Sequence, residues 1–318
     1  MASLLNMPDI VMTLILEKSD FNSIQCLRKS CRDLRNFIDS VKPESKIFNL
    51  HARLRQNSII LGVTIDGLYS TVTYESHESG CKVKTANTTR LLENSSFLEV
   101  ACQDMQYILD WKNSSKILEE FCVHVESDFE LVLKPNIRSK HCSITFTLPT
   151  QIPKYLALVD SAILEKITLT FLGIESFLLN LYEVYILDQW KQAKLLNMIN
   201  FRSDTPSENF GHFKKIYIKT RVITSGDVLR WKSIFLKGAP NGMAYVNYRY
   251  DNLIDEQELT RKFGHPIHIA LPNLPPKRHW FFAIPGNSEI VHSIGFDSTS
   301  FVFFLLHKEG LPVGAHIN

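Results

Sequence analysis

The sequence predicts an α+β protein: a bundle of three short N-terminal helices, then a mixed α/β solenoid of strand–helix units closed by antiparallel strands. Three observations support this. Residues 4–39 hold three helix-length apolar patterns separated by polar breaks. Strand-like runs centred near 122, 145, 167, 216 and 246, with a weaker one near 198, recur at about 20–30 residues with helix-like pieces between them. The stretch "HWFFAIPGNSEIVHSIGFDSTSFVFFLLHK" at 279–308 alternates apolar and polar residues and is split by Pro285-Gly286 and by "DSTS".

The first helix has Asn6 as a fair N-cap, Pro8 in its first turn and Asp9 at the positive end of the helix dipole. Ile10, Val11, Leu14 and Ile15 form one apolar face. Met12 and Leu16 widen it beyond what a solvated helix carries. "SDFNS" at 19–23 breaks the pattern, and Asp20 can cap a second helix with Phe21, Ile24, Leu27 and Cys31 along a stripe. Arg28, Lys29, Arg32 and Arg35 occupy much of the remainder, and a third piece carries Leu34, Phe37 and Ile38. Three helices of this size make too small a core to stand alone. Their apolar surface is buried against the rest of the chain or against a partner.

Residues 41–58 read as a linker with a short basic helix, Lys42, Lys46, Arg53 and Arg55 lying on a solvated connecting face. "IILGVTIDGLYSTVTY" at 59–74 has the pattern of a β-hairpin around Asp66-Gly67, "CKVKT" at 81–85 adds a third strand, and "TANTTRLLENSS" reads as a loop. A helix is expected over 97–111. Strands follow at 119–125, 141–148, 164–171, 213–219 and 243–248, with "LDQWKQAKLLN" and "SGDVLRWKSIFL" as helices between them. The spacing suits a solenoid resembling leucine-rich repeats, without a strict "LxxLxL" signature. The array fills 59–307, and 308–318 is a tail.

Composition narrows the function. With 35 basic and 33 acidic side chains the net charge is +2, which speaks against nucleic acid and anionic membranes as partners. The opening residues lack a signal-peptide pattern, and "FVFFLL" at 301–306 is far shorter than the roughly 20 residues that span a bilayer. A soluble protein of the cytoplasm or nucleus is expected, its six irregularly spaced cysteines reduced. No nucleophile elbow, phosphate loop or H-E-x-x-H stands in the chain, so neither an enzyme nor a cofactor is expected. The pairs Cys122/His124, His141/Cys142 and His265/His268 miss the usual zinc-ligand spacings and read as core cysteines and loop histidines. Trp190, Trp231 and Trp280 read as core. Tyr248, Arg249 and Tyr250, at a strand end, are candidates for an exposed binding surface.

"MPDIVMTLIL" and "SIQCLRKSCRDLRNFI", continuous from Met7 to Asp39, resemble an F-box, the roughly 40-residue module that docks receptors onto a Skp-family adaptor. Ser19 departs from the pattern, standing where related sequences usually carry an apolar residue before "DF". The resemblance implies an F-box over 4–40, with Pro8, Ile10, Val11, Leu14, Ile15, Phe21, Leu27 and Arg28 as the adaptor-docking residues. A Val11→Asp/Ile15→Asp variant is expected to lose the adaptor. "FLEVACQDMQYIL", "LYEVYILDQWKQAK", "HFKKIYIKTRVITSGDVL" and "FFAIPGNSEIV" resemble the FTH domain, which accompanies the F-box in a large nematode family often called F-box A. Together the two resemblances imply a substrate receptor of a Skp–cullin–F-box ubiquitin ligase. It would reach cullin through the adaptor and hold an unidentified target protein with its C-terminal domain. The alternative is a protein- or RNA-binding solenoid in which the N-terminal helices are a cap.

Overall fold

The computed structural model describes residues 7–19, 21–41, 47–65, 67–112, 117–173, 177–203, 205–239, 243–269, 277–284 and 286–317. The chain divides into two compact units, Met1–Cys122 with Ser127–Ser139, and Val123–Glu126 with Lys140–Asn318.

The first unit opens with helices α1 (Asp9–Lys18), α2 (Phe21–Ser30) and α3 (Arg32–Val41). The Pro8 carbonyl accepts from the backbone N–H groups of Val11 and Met12, so α1 starts one residue after the proline. At its other end the Ser19 hydroxyl donates to the Ile15 carbonyl at 2.8 Å. The departure from the F-box pattern at this position therefore gives the helix end a polar partner. Asn6 and Asp20, read as caps, lie outside the described residues. Leu16, Ile24 and Ile38 form a small buried cluster, with Leu27, Phe37 and Tyr107 packed against it.

Five antiparallel strands follow in chain order: β1 (Ile47–Arg55), β2 (Ser58–Ile65), β3 (Leu68–His77), β4 (Gly80–Lys84) and β5 (Thr89–Glu93). The expected linker at 41–58 is thus corrected: half of it, residues 47–55, is β1. Ile47, Leu50, Ala52 and Leu54 point into the core, while Phe48, Arg53 and Arg55 alternate outward, so the basic residues mark a period of two rather than a helix. The expected loop after β4 likewise contains β5. Ile65 pairs with Leu68 across the expected two-residue turn, where Gly67 takes φ +80°, a value costly for other residues. Helix α4 (Phe97–Lys112) covers β2, β3 and β4, and the Tyr74 hydroxyl donates to Asp104 at 2.7 Å beneath it. Strand β6 (Leu118–Val125) is divided, its first five residues falling in this unit and its last three in the second.

The second unit is built on five parallel strands: β7 (Ser139–Phe146), β8 (Lys166–Phe171), β10 (Leu195–Ile199), β12 (Lys215–Lys219) and β14 (Tyr245–Arg249). Each pairs with the next in chain order. Helices α5 (Gln151–Leu156), α6 (Tyr182–Tyr185), α7 (Asp188–Gln192) and α8 (Ser225–Gly238) lie in the crossovers. The short parallel pairs β9 (Phe177–Leu179) with β11 (Phe201–Ser203), and β13 (Val222–Thr224) with β15 (Asn252–Ile254), also lie in the connections. Residues alternating along the long strands, among them Ile144, Leu169, Met198, Ile218 and Val246, are buried together with Trp190, Phe210, Phe213, Trp231 and Phe235. Helix α8 begins with a reciprocal cap, Thr224 with Asp227. The helix expected over "LDQWKQAKLLN" is shorter: α7 stops at Gln192, and the alternation of buried Leu196 and Met198 makes the remainder a strand.

Beyond α9 (Glu256–Phe263), strands β16 (Ile267–Ile269), β17 (Lys277–Ile284), β18 (Asn287–Phe296) and β19 (Ser300–His307) form an antiparallel meander, and β19 pairs antiparallel with β14. The tail packs too: Leu311 and Ala315 rest on Phe281 and Val291, and Ile317 bridges to Phe281. Among the described residues no helix is long and apolar enough to cross a membrane.

Candidate functional site

Helix α1 is apolar on more than one side. Met12 and Leu16 turn inward and are buried. Ile10, Val11 and Leu14, one turn apart on the other side, are 72%, 38% and 53% exposed. Pro8 continues this patch, and Ile15 is half-buried at its margin, beside Leu16, Leu27 and Ile38. Three exposed aliphatic side chains thus stand on one helix, apart from the side that packs inward.

A second surface lies on the parallel sheet of the other unit. The outward residues of its strands fall in rows fixed by register, one of them Ser143, Thr168, Asn197, Tyr217 and Asn247. Polar groups bond to one another along this face, across β7, β8 and β10 and within β14. Thr168 Oγ1 lies 2.9 Å from His141 Nε2 and accepts from Asn197 at 3.1 Å, while Asn247 donates to the Tyr245 hydroxyl at 3.0 Å. Burial, then the charge of Lys166, pushes the His141 imidazole down to about 4, so it is neutral near pH 7.

These two surfaces coincide with two matches to known domains. A model of the F-box domain matches residues 4–46, and a model of the FTH domain matches residues 119–265. The chain is an F-box protein with an FTH domain. No curated protein and no solved structure matches it. The F-box match covers α1, α2 and α3. The FTH match runs from β6 past α9 and so contains the whole parallel run.

Within the F-box, the candidate docking residues divide by position. Pro8, Ile10, Val11 and Leu14 face solvent, whereas Leu27 packs on the small core. The Phe21 backbone belongs to α2, and its side chain lies outside the described residues. Arg28 is engaged within the unit. Its Nε and Nη2 donate to the two carboxylate oxygens of Asp39 at 2.7 and 3.1 Å, and its guanidinium lies 3.7 Å from the centre of the Tyr107 ring. The Tyr107 hydroxyl donates to the same carboxylate at 3.1 Å.

Burial works against the Asp39 charge, but the Arg28 and Tyr107 hydrogen bonds and the Arg28 charge outweigh it and hold the carboxyl below its ordinary range. The pair therefore contributes stability above pH ~4 that is lost as pH falls through the folded value. Arg28→Ala is expected to lower the unfolding free energy by about 1–2 kcal/mol, from a partly exposed ion pair and a cation–π contact. Urea unfolding at neutral pH checks this, and Tyr107→Phe should lose less.

The proposed C-terminal binding residues are corrected. Tyr248 and Tyr250 are 1% and 3% exposed, and only Arg249 faces solvent. Tyr248 alternates inward on β14 and packs on Trp231, with its hydroxyl 3.5 Å from Thr220. The Tyr250 hydroxyl donates to the Asp297 carbonyl at 2.6 Å. Burial raises both phenols above their ordinary pKa, so both stay neutral, Tyr248 accepting from the Thr220 hydroxyl and Tyr250 donating. A triple alanine change at 248–250 is accordingly expected to unfold the unit, since truncating a buried aromatic costs about 3–5 kcal/mol. Its circular dichroism should show this, while Arg249→Ala alone stays folded.

Lys215, Tyr217 and Lys219 were not singled out from the sequence, although the alternation of "KIYIK" carries the signal: three exposed residues separated by two buried ones. His141 faces the open surface and Cys142 is fully buried behind it. Among the described residues no three potential metal ligands come together.

Proposed function

We propose that this chain is a substrate receptor of a Skp–cullin–F-box ubiquitin ligase. An F-box supports an adaptor role in such ligases. Here the patch of Ile10, Val11 and Leu14 on α1 carries the reading, because it lies within the F-box and remains in solvent after the helices have packed their own small core. On this reading Pro8, Ile10, Val11 and Leu14 meet a Skp-family adaptor, with Ile15 at the rim, and cullin is reached through that adaptor.

The FTH domain then holds the target protein. Its open sheet face, built from a leucine-rich-repeat-like array of strands, is the surface we assign to that task. The chain performs no bond chemistry itself. It raises the effective concentration of target lysines near a bound ubiquitin-conjugating enzyme, and it works in the cytoplasm or nucleus without a cofactor. The test is co-expression with a Skp-family adaptor followed by size-exclusion chromatography. Co-elution at one-to-one stoichiometry is expected, and a folded chain eluting alone would defeat the proposal.

A further inference from the structure

The open face of the parallel sheet carries charge of one sign. Lys166 on β8, Lys215 and Lys219 on β12, and Arg249 on β14 all stand on it, and none of the outward residues of the five parallel strands is acidic. Among the described residues none of these four cations is held in an ion pair. Register sets their spacing. Lys215 and Lys219 are four residues apart on one strand, about 13 Å at ~3.3 Å per residue. Lys166 and Lys215 share a row two strands apart, about 10 Å at ~4.8 Å per strand. Arg249 lies directly across from Lys219. Between these positions Tyr217 is exposed, with its ring 5.6 Å from that of Tyr245.

That spacing selects among anions. A phosphate group needs donors that converge on one point within a few ångströms. The roughly 13 Å between Lys215 and Lys219 instead matches carboxylates four residues apart on one side of an extended peptide, where alternate side chains recur about every 7 Å. The tyrosine pair offers an apolar platform for a residue lying between two acids. Nucleic acid fits less well, since four spread cations neutralise few phosphates and the chain as a whole is near neutral. We propose that this face binds an extended acidic segment of a target protein, with Asp or Glu side chains on Lys215 and Lys219 and an apolar residue over Tyr217 and Tyr245. The inference rests on the reading that the FTH domain holds the target, and it adds the class of segment recognised.

The test uses the full chain and three fluorescein-labelled probes. One is a peptide alternating Glu and Ser around a central Leu, the second is its Gln-for-Glu counterpart, and the third is oligouridylate. The expected result is anisotropy binding of the Glu peptide at least about tenfold tighter than the Gln peptide. Lys215→Glu/Lys219→Glu should abolish that preference. Lys191→Glu/Lys262→Glu, the same charge change on α7 and α9, should leave it in place. Both lysines in the first variant are exposed, so an unchanged melting temperature is expected to accompany the loss. Equal binding of the two peptides, or an unchanged preference in the first variant, overturns the acidic-segment assignment. Tighter binding of oligouridylate than of the Glu peptide overturns it as well. Adaptor co-elution is unaffected by any of these outcomes, so failure here is distinguishable from failure of the ligase reading.

Discussion

An Ile10→Asp/Leu14→Asp variant co-expressed with a Skp-family adaptor elutes without it, while the unsubstituted chain co-elutes. Both side chains are mostly exposed, so the change removes little packing from the free chain, and its melting temperature should move only slightly. Burying each against a partner contributes about 1.5–3 kcal/mol. Losing both therefore weakens binding by about 3–6 kcal/mol, more than ~100-fold in Kd. Carboxylates drawn into an apolar contact add to the loss. Val11→Asp/Ile15→Asp is the less clean experiment. Ile15 is half-buried beside Leu16, Leu27 and Ile38, so its replacement also strikes the small core. A double variant at 10 and 14 that folds and still co-elutes would sink the docking assignment.

The second large effect is on acid stability. His292 is fully buried, stacked 4.6 Å from Phe235 and 5.9 Å from Phe303, and among the described residues neither ring nitrogen has a hydrogen-bond partner. Burial, then the charge of Lys232, pushes its imidazole down to about 3. In the unfolded chain the same group titrates near ~6.5. Its contribution to stability is thus fully present above ~6.5 and falls away as the pH drops from there toward about 3. At pH ~4.5 this amounts to about 2–3 kcal/mol, an order-of-magnitude figure. A His292→Phe variant should be at least as stable near neutrality, because an unpartnered polar ring is replaced by an apolar one. Between neutral pH and pH ~4.5 it should lose about 2 kcal/mol less than the unsubstituted chain. Urea midpoints at the two pH values measure the difference. Histidines present in both chains, His141 among them, cancel in the comparison. Equal losses would show that His292 does not set the acid limit.

Most of the parallel strands were legible because they are short runs alternating buried apolar residues with polar ones, as "KITLTF" and "KIYIK" do, whereas β10, with Leu195 and Ile199 outward, was read in part as helix. Strand β1 was misread because its outward positions include Arg53 and Arg55, and basic residues on a short apolar run look the same at helical and strand periods until a partner strand is known. Strand β5 carries four exposed residues out of five, so it has almost no hydrophobic pattern to read. Helix α1 could be recognised from its excess of aliphatic residues, yet local pattern did not separate Ile10 and Leu14 from Met12 and Leu16. That division depends on Tyr107, Ile24 and Ile38, which are distant in sequence. The same limit explains Tyr248 and Tyr250. An aromatic at a strand end reads equally as contact or core, and only the neighbouring Trp231 and the Asp297 carbonyl decide. Arg28 was named as a docking residue from the F-box pattern, and its tie to Asp39 and Tyr107 spans separations that periodicity cannot see.

In the run from β7 to β14, consecutive long strands pair with one another in chain order. Duplicating or deleting one such module would break and remake a single seam while the other pairings persist. The length of the open surface, and with it the number of charged positions on it, can therefore change in whole steps during gene evolution. On the proposed reading, target recognition and adaptor docking are left free to diverge at different rates.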